Sequence, residues 1–243
     1  MDHKTREILG VRFDNVTLDE AVDRAMEFLG QTGPHLIVTP NAEIVQQARG
    51  DTEFSRIISG AALVIPDGVG VIYASRILGT PLRARVPGVD FANALMERIA
   101  ITGHRLYLLG AKPGVAEDAA ARLTEAHPGL TICGTHDGYF TEDAPVAQAI
   151  KAAGADVVFV CLGAPKQEKW IAANGDAAGA KILIGLGGSL DVFAGRVARA
   201  PALWQKLGLE WLYRGLKEPK RLGRIIKLPL FLCSAVKARI IKK

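Results

Sequence analysis

Six short apolar runs, each followed by a polar or glycine-rich turn, constrain this chain more than any other feature. LIVT (36–39), ALVIP (62–66), RLYLLGA (105–111), LTICG (130–134), DVVFVCLG (156–163) and KILIGLG (181–187) are rich in β-branched residues and Leu. Runs of this length and composition read as strands buried on both faces of a parallel sheet. Between them, stretches such as AEIVQQAR (42–49) and GVAEDAAARLTEA (114–126) have helical spacing. Strand–helix alternation at this pitch predicts an α/β fold with a Rossmann-like, mostly parallel, doubly wound sheet. With 243 residues and 49% hydrophobic residues, the chain can bury a sizeable core.

Ligands of such sheets sit beyond the carboxyl ends of the strands, so the turns carry the functional signal. They read TPNAE (39–43), PDGVGV (66–71), GAKPGVAED (110–118), HDGYF (136–140), GAPKQEKW (163–170) and GGSLDVFAG (187–195). Six such turns on one edge make a cleft for a polar ligand. Each also has a plainer explanation. GAKPGVAED, with Gly110 and Gly114, is a phosphate-type turn or an ordinary strand–helix turn with Pro113 near the first helical position. It matches neither GxGxxG nor GxxxxGK[ST]. Asp67 is a helix N-cap or a general base. Asn41 is a natural cap for AEIVQQAR, and Thr39 precedes Pro40. Lys166 and Gln167 begin a solvated helix with Glu168 and Lys169 on its outer face, or line the cleft. Asp191 is another cap or a ligand residue. Tyr139 is an edge aromatic or a flat surface for a nucleobase. The five histidines lack metal-ligand spacing, GGSLD is not GxSxG, and no Asp-x-Asp pair occurs to hold a divalent ion on a diphosphate.

Charge divides the chain. Residues 1–195 hold 17 Lys and Arg against 23 Asp and Glu, a net of −6, whereas residues 196–243 hold 13 against two, a net of +11. The expected boundary is therefore an α/β catalytic body over 1–195 and a basic, mostly helical appendage over 196–243, whose partner is anionic. LWQKLGLEWLYRGLK (203–217) puts Trp204, Leu207, Trp211 and Leu212 near one helical face, and Pro219 interrupts that helix. The last residues alternate Lys and Arg with Leu, Ile and Phe. That pattern reads as lying in a membrane interface rather than spanning it; the plainer alternative is a basic helix wrapped on the body or buried in an oligomer. No run approaches the roughly 20 apolar residues of a span. The three scattered cysteines, Cys133, Cys161 and Cys233, and a charged N-terminus without an apolar stretch fit a cytosolic or cytosol-facing protein.

TPNAEIV, PDGVGV, RVPGVDF, HDGYF, LGAPKQEKWI, GLGGSLDVFAG, RAP and LEWLYRGLKEPKR, in this order, resemble the motifs of the WecG/TagA/CpsF glycosyltransferases over about Thr39 to Arg224. The resemblance implies an inverting, metal-independent enzyme without a cofactor. It would move a sugar from a UDP-sugar (N-acetylmannosamine, its uronic acid or a hexose) to a sugar on undecaprenyl diphosphate at the cytoplasmic membrane face. By position in the motifs, Asp67 would be the base, with Thr39 and Asn41 beside the reacting sugar and Arg85 and Gln167 as further residues of the catalytic cleft. Gly138, Tyr139 and Asp191 would hold the nucleoside, with Gly110 of the phosphate-type turn as a further substrate-binding position, and Arg214, Arg221 and Arg224 of the appendage would contact a diphosphate. The resemblance also allows a homo-oligomer that dissociates at the membrane.

Two readings from other classes compete. A nicotinamide-dependent oxidoreductase shares the sheet but normally carries GxGxxG. A non-enzymatic binder of anionic polymer, nucleic acid included, would use the basic tail, against which the acidic body argues.

Overall fold

The computed structural model describes residues 5–201, 203, 204, 210, 212, 213 and 222–241, with side chains not described for 222–226. All six anticipated strands are present: β3 (His35–Val38), β4 (Leu63–Val64), β5 (Arg105–Gly110), β6 (Thr131–His136), β7 (Val157–Cys161) and β8 (Ile182–Gly185). They form one sheet in the order β4-β3-β8-β7-β5-β6, and every pairing is parallel. All six carboxyl ends therefore reach one edge, as the alternation predicts.

The sheet core is buried on both sides because its strands have no polar face. In β7 Val157, Phe159 and Cys161 face one helical layer, and Val158 and Val160 face the other. The first layer contains α1 (Leu18–Leu29), α5 (Gly88–Thr102), α6 (Val115–Ala126) and α9 (Ser189–Phe193). The second contains α2 (Ala42–Ala48), α3 (Thr52–Ser59), α4 (Val69–Ile77), α7 (Asp143–Ala152) and α8 (Lys166–Ala178). Local chemistry fixes several starts. Thr17 and Glu20 close a capping box on α1, and the Asp51 carboxylate accepts from Phe54 N at the start of α3.

The sequence pattern gives no sign of an antiparallel hairpin, β1 (Thr5–Ile8) with β2 (Val11–Asp14), turning at Leu9 and Gly10, both with positive φ. The hairpin buries Ile8, Val11 and Phe13 in the second layer. The Asp14 carboxylate accepts from Val64 N at 2.8 Å, which satisfies a donor on the edge strand β4, and pairs with Arg24 at 2.9 Å.

The appendage ends in α10 (Leu222–Ile241), 20 residues long with Pro229 inside it. One face docks on the body: Phe231 and Ala235 are fully buried against α4, and Leu228 and Leu232 are half-buried. Lys227 pairs with Glu43 at 2.7 Å, and Arg239 donates to the Leu78 carbonyl at 3.0 Å. Part of the basic tail is thus a helix wrapped on the body. The opposite face leaves Leu230, Val236, Ile240 and Ile241 exposed. Among the described residues, no helix is long and apolar enough to cross a membrane.

Candidate active site at the carboxyl edge of the sheet

The turns after β3 and β4 are knitted together. Asp67 N donates to the Pro40 carbonyl at 3.3 Å. Gly68 has φ +86°, and a Cβ there would sit 3.2 Å from the Asn41 Cβ. Glycine at 68 thus supplies both a left-handed conformation and a close approach between the two turns. The cap of α4 is Gly68 and not Asp67, so the half-buried Asp67 side chain is not spent on a helix end. Asn41, by contrast, caps α2: its Oδ1 accepts from Glu43 N and Ile44 N at 2.9 and 3.1 Å. That duty leaves only its Nδ2 group to a ligand.

Thr39 is 8% exposed and donates its hydroxyl proton to the Gly185 carbonyl at 3.0 Å. Its Oγ1 would be 3.2 Å from a Cβ at Gly88, which ties the start of α5 to the same place. Arg85 lies half-buried just before α5, and it makes no hydrogen bond or ion pair among the described residues.

A second cluster surrounds β5, β6 and β7. Gly110 has φ +128°, and a Cβ there would lie 2.4 Å from the Cys161 carbonyl oxygen, so the strand ends touch only through glycine. Ala111, also left-handed at φ +60°, donates to that carbonyl and accepts from Gly138 N at 2.8 Å. α6 is capped by left-handed Gly114 and starts at Val115, two residues after Pro113. Tyr139 is 69% exposed, an open aromatic face. Its turn is held by its own N–H on Asp137 Oδ1 and by Lys166 Nζ on the Gly138 carbonyl at 3.1 Å. Burial pushes the Cys161 thiol up to about 12, which keeps it a thiol and removes it as a nucleophile.

α8 joins the clusters. Gln167, 2% exposed, receives Gly187 N on its Oε1 at 2.9 Å and donates its Nε2 to Glu168 Oε1 at 2.8 Å. The solvated helix start expected here is overturned. Gln167 and Glu168 are both buried, because the first turn of α8 tucks under the end of β8. Lys166, which is exposed, and Lys169, which pairs with Asp51 and Glu53, match that expectation. Asp191 is in the first turn of α9, which Gly188 caps, so it too is not a cap. Arg214 and Arg221 lie outside the described residues. The backbone of Arg224 belongs to α10, and its side chain is not described.

Thr39, Asn41, Asp67, Gln167 and Asp191 thus converge through loops bonded to one another, with Gly110, Gly138 and Tyr139 on the neighbouring strand ends. Among the described residues, no group of three His, Cys, Asp or Glu side chains is placed to hold a metal ion. The signal that could have exposed Glu168 is its spacing: Gln167, Glu168, Trp170 and Ile171 follow a buried helical stripe.

The fold defines a doubly wound α/β protein with a cluster of polar side chains at the carboxyl edge of its sheet. Residues 6–243 match the family described as "Glycosyl transferase WecG/TagA/CpsF family", and the chain belongs to that family and is a glycosyltransferase. It is 37% identical over 240 residues to proteins of Staphylococcus aureus strains MRSA252, MW2 and NCTC 8325. Those matches cover 98% of this chain and 94% of each relative. Each is named N-acetylglucosaminyldiphosphoundecaprenol N-acetyl-beta-D-mannosaminyltransferase. Family membership sets aside the oxidoreductase reading.

Proposed function

We propose that the protein transfers N-acetylmannosamine, its uronic acid or a hexose from a UDP-sugar to an undecaprenyl-diphosphate-linked sugar, with inversion and without a metal, in bacterial surface-polymer synthesis. The names of the relatives support the lipid-linked GlcNAc acceptor and the mannosaminyl group. The observation that carries the chemistry is Asp67: a carboxylate at a strand end, released from capping duty and fastened beside Asn41.

In this mechanism the acceptor hydroxyl oxygen attacks the anomeric carbon, and the carbon–oxygen bond to UDP breaks with its electron pair going to UDP. Asp67 takes the acceptor proton on the face opposite the leaving group. Asn41 Nδ2 donates to a substrate oxygen. Arg85 and the appendage cations Arg214, Arg221 and Arg224 meet the charge that develops on the diphosphate. Gly110, Gly138, Tyr139 and Asp191 cradle the nucleoside. The exposed Leu230, Val236, Ile240 and Ile241, with Lys237 among them, lie on a lipid surface, so the enzyme works as a peripheral protein at the inner membrane face.

The test is UDP release from a panel of UDP-sugars with a GlcNAc-diphospho-lipid acceptor in EDTA. Acceptor-dependent release from one donor is expected. Asp67→Asn should bind donor and lose turnover by about 100-fold or more; near-normal turnover would remove Asp67 as the base. Liposome flotation with and without residues 196–243 tests the membrane contact, and equal flotation would refute it.

A further inference from the structure

The first turn of α8 buries a carboxyl group that none of the roles above uses. Glu168 is 1% exposed. Its Oε1 accepts from Gln167 Nε2 at 2.8 Å, and its Oε2 is buried without a hydrogen-bond partner. Burial raises its carboxyl above the ordinary value of 4.5, outweighing the hydrogen bonds from Gln167 and from its own backbone N–H. An acid this deep costs stability, so its retention calls for a role.

The geometry supplies one. A glutamine amide has a donor end and an acceptor end, and Gln167 uses both. The acceptor holds Gly187 N at 2.9 Å, and the donor meets Glu168. Turned over, the amide would set its NH₂ against the Gly187 N–H and its oxygen against the Glu168 oxygen. Glu168 and the Gly187 N–H together hold the amide in one orientation, with the acceptor end on Gly187. The strand end between them has no slack: a Cβ at Gly185 would lie 2.8 Å from Gln167 Nε2 and 3.2 Å from Glu168 Oε1. The Gly185 carbonyl is held by the Thr39 hydroxyl. The end of β8 is thus gripped by Thr39 through its carbonyl and by the Gln167–Glu168 pair at Gly187, and it leads directly into α9 with Asp191.

We propose that Glu168 is a positioning residue for the transfer reaction, acting through Gln167 to set the Gly185–Gly187 strand end and the turn that carries Asp191 into the cleft. This rests on the cleft being the sugar-transfer site.

The experiment measures kcat and donor KM by UDP release for the full-length wild type, Glu168→Gln, Glu168→Leu and Glu168→Ala, with thermal melts alongside. Gln keeps an acceptor oxygen for the Gln167 amide; Leu keeps the volume without it; Ala keeps neither. Expected are folded Leu and Ala variants with kcat down about 10- to 100-fold, as for a misplaced site, and donor KM changed much less. Glu168→Gln should restore most of kcat. Normal kcat in the Leu or Ala variant would overturn the proposal. So would a Gln variant as slow as Leu, or Leu and Ala variants that both fail to fold while Gln folds. Silence of the wild type on every donor would instead strike the transferase assignment of the cleft, a separate result.

Discussion

Phe231→Ala separates the docking of the C-terminal helix from the stability of the body. α10 meets the body mainly through α4 and α2, and Phe231 is the largest fully buried side chain among its described residues, with Ala235 beside it. The Lys227–Glu43 pair is half open to water and adds less than about 1 kcal/mol. Burying one phenylalanine is worth about 2–3 kcal/mol. Because α10 ends the described chain, the mutant has a cheaper route than carrying a cavity: the helix can leave. Losing 2–3 kcal/mol of docking shifts the docked-to-undocked ratio roughly 30- to 150-fold. Hydrogen exchange of peptides from 222–241 should speed up by that factor while the main melting transition barely moves. If instead exchange in α10 is unchanged and Tm falls by roughly 6–15 °C, the value for truncating a core Phe within one cooperative unit, independent docking is refuted.

Glu168→Gln should change how stability depends on pH. The native carboxyl has a raised pKa, so its contribution is complete below the unfolded value near 4.5 and is lost as pH rises through the native value. Melts of the two proteins should nearly coincide at pH 4.5, with Glu168→Gln increasingly the more stable toward pH 8; parallel curves would contradict this. Gly110→Ala combines a forbidden φ with a 2.4 Å clash on the Cys161 carbonyl and should cost about 3 kcal/mol or prevent folding, read by urea denaturation. Thr39→Val keeps the shape and orphans the Gly185 carbonyl, for a loss of about 1–3 kcal/mol. Thr39→Ser, which retains the hydroxyl, should lose less in the same measurement.

The sheet was legible because a strand buried on both faces has no polar alternation to hide it, and all six runs became parallel neighbours. The hairpin was not. TREI and VRFD are four residues each and charged, and their apolar side matters only once Asp14 reaches Val64 on β4, 50 positions away. The strand-end turns that carry the candidate residues were legible, but the burial of those residues was not. Glu168 and Lys169 are adjacent charged residues in one helical turn; one is sealed under β8 and the other pairs with α3. Only the helical stripe shared with Gln167, Trp170 and Ile171 separates them in the sequence, and its cause is the Gly185 strand end passing over Gln167 and Glu168. Likewise Asp67 and Asn41 carry the same cap signal, and only the fold gives the cap of α4 to Gly68.

Structural duty then limits what each site residue can offer a substrate. The Asn41 oxygen is occupied by two backbone donors, so the residue can only donate. The Thr39 proton goes to Gly185, so its oxygen can only accept. Both ends of Gln167 are engaged, leaving one N–H and one oxygen lone pair. A base that takes a proton from a sugar hydroxyl must be an acceptor whose charge can change, and of these four residues Asp67 alone meets that requirement. The role proposed for Asp67 as the base thus rests on the hydrogen bonds of its neighbours as much as on its own position. It carries a consequence: Asn41→Asp would keep the α2 cap but replace the donor with a second carboxylate beside Asp67. Like charges at that separation raise one another's pKa, so the acid limb of the activity profile should move to higher pH, whereas Asn41→Ala should lose activity without moving it.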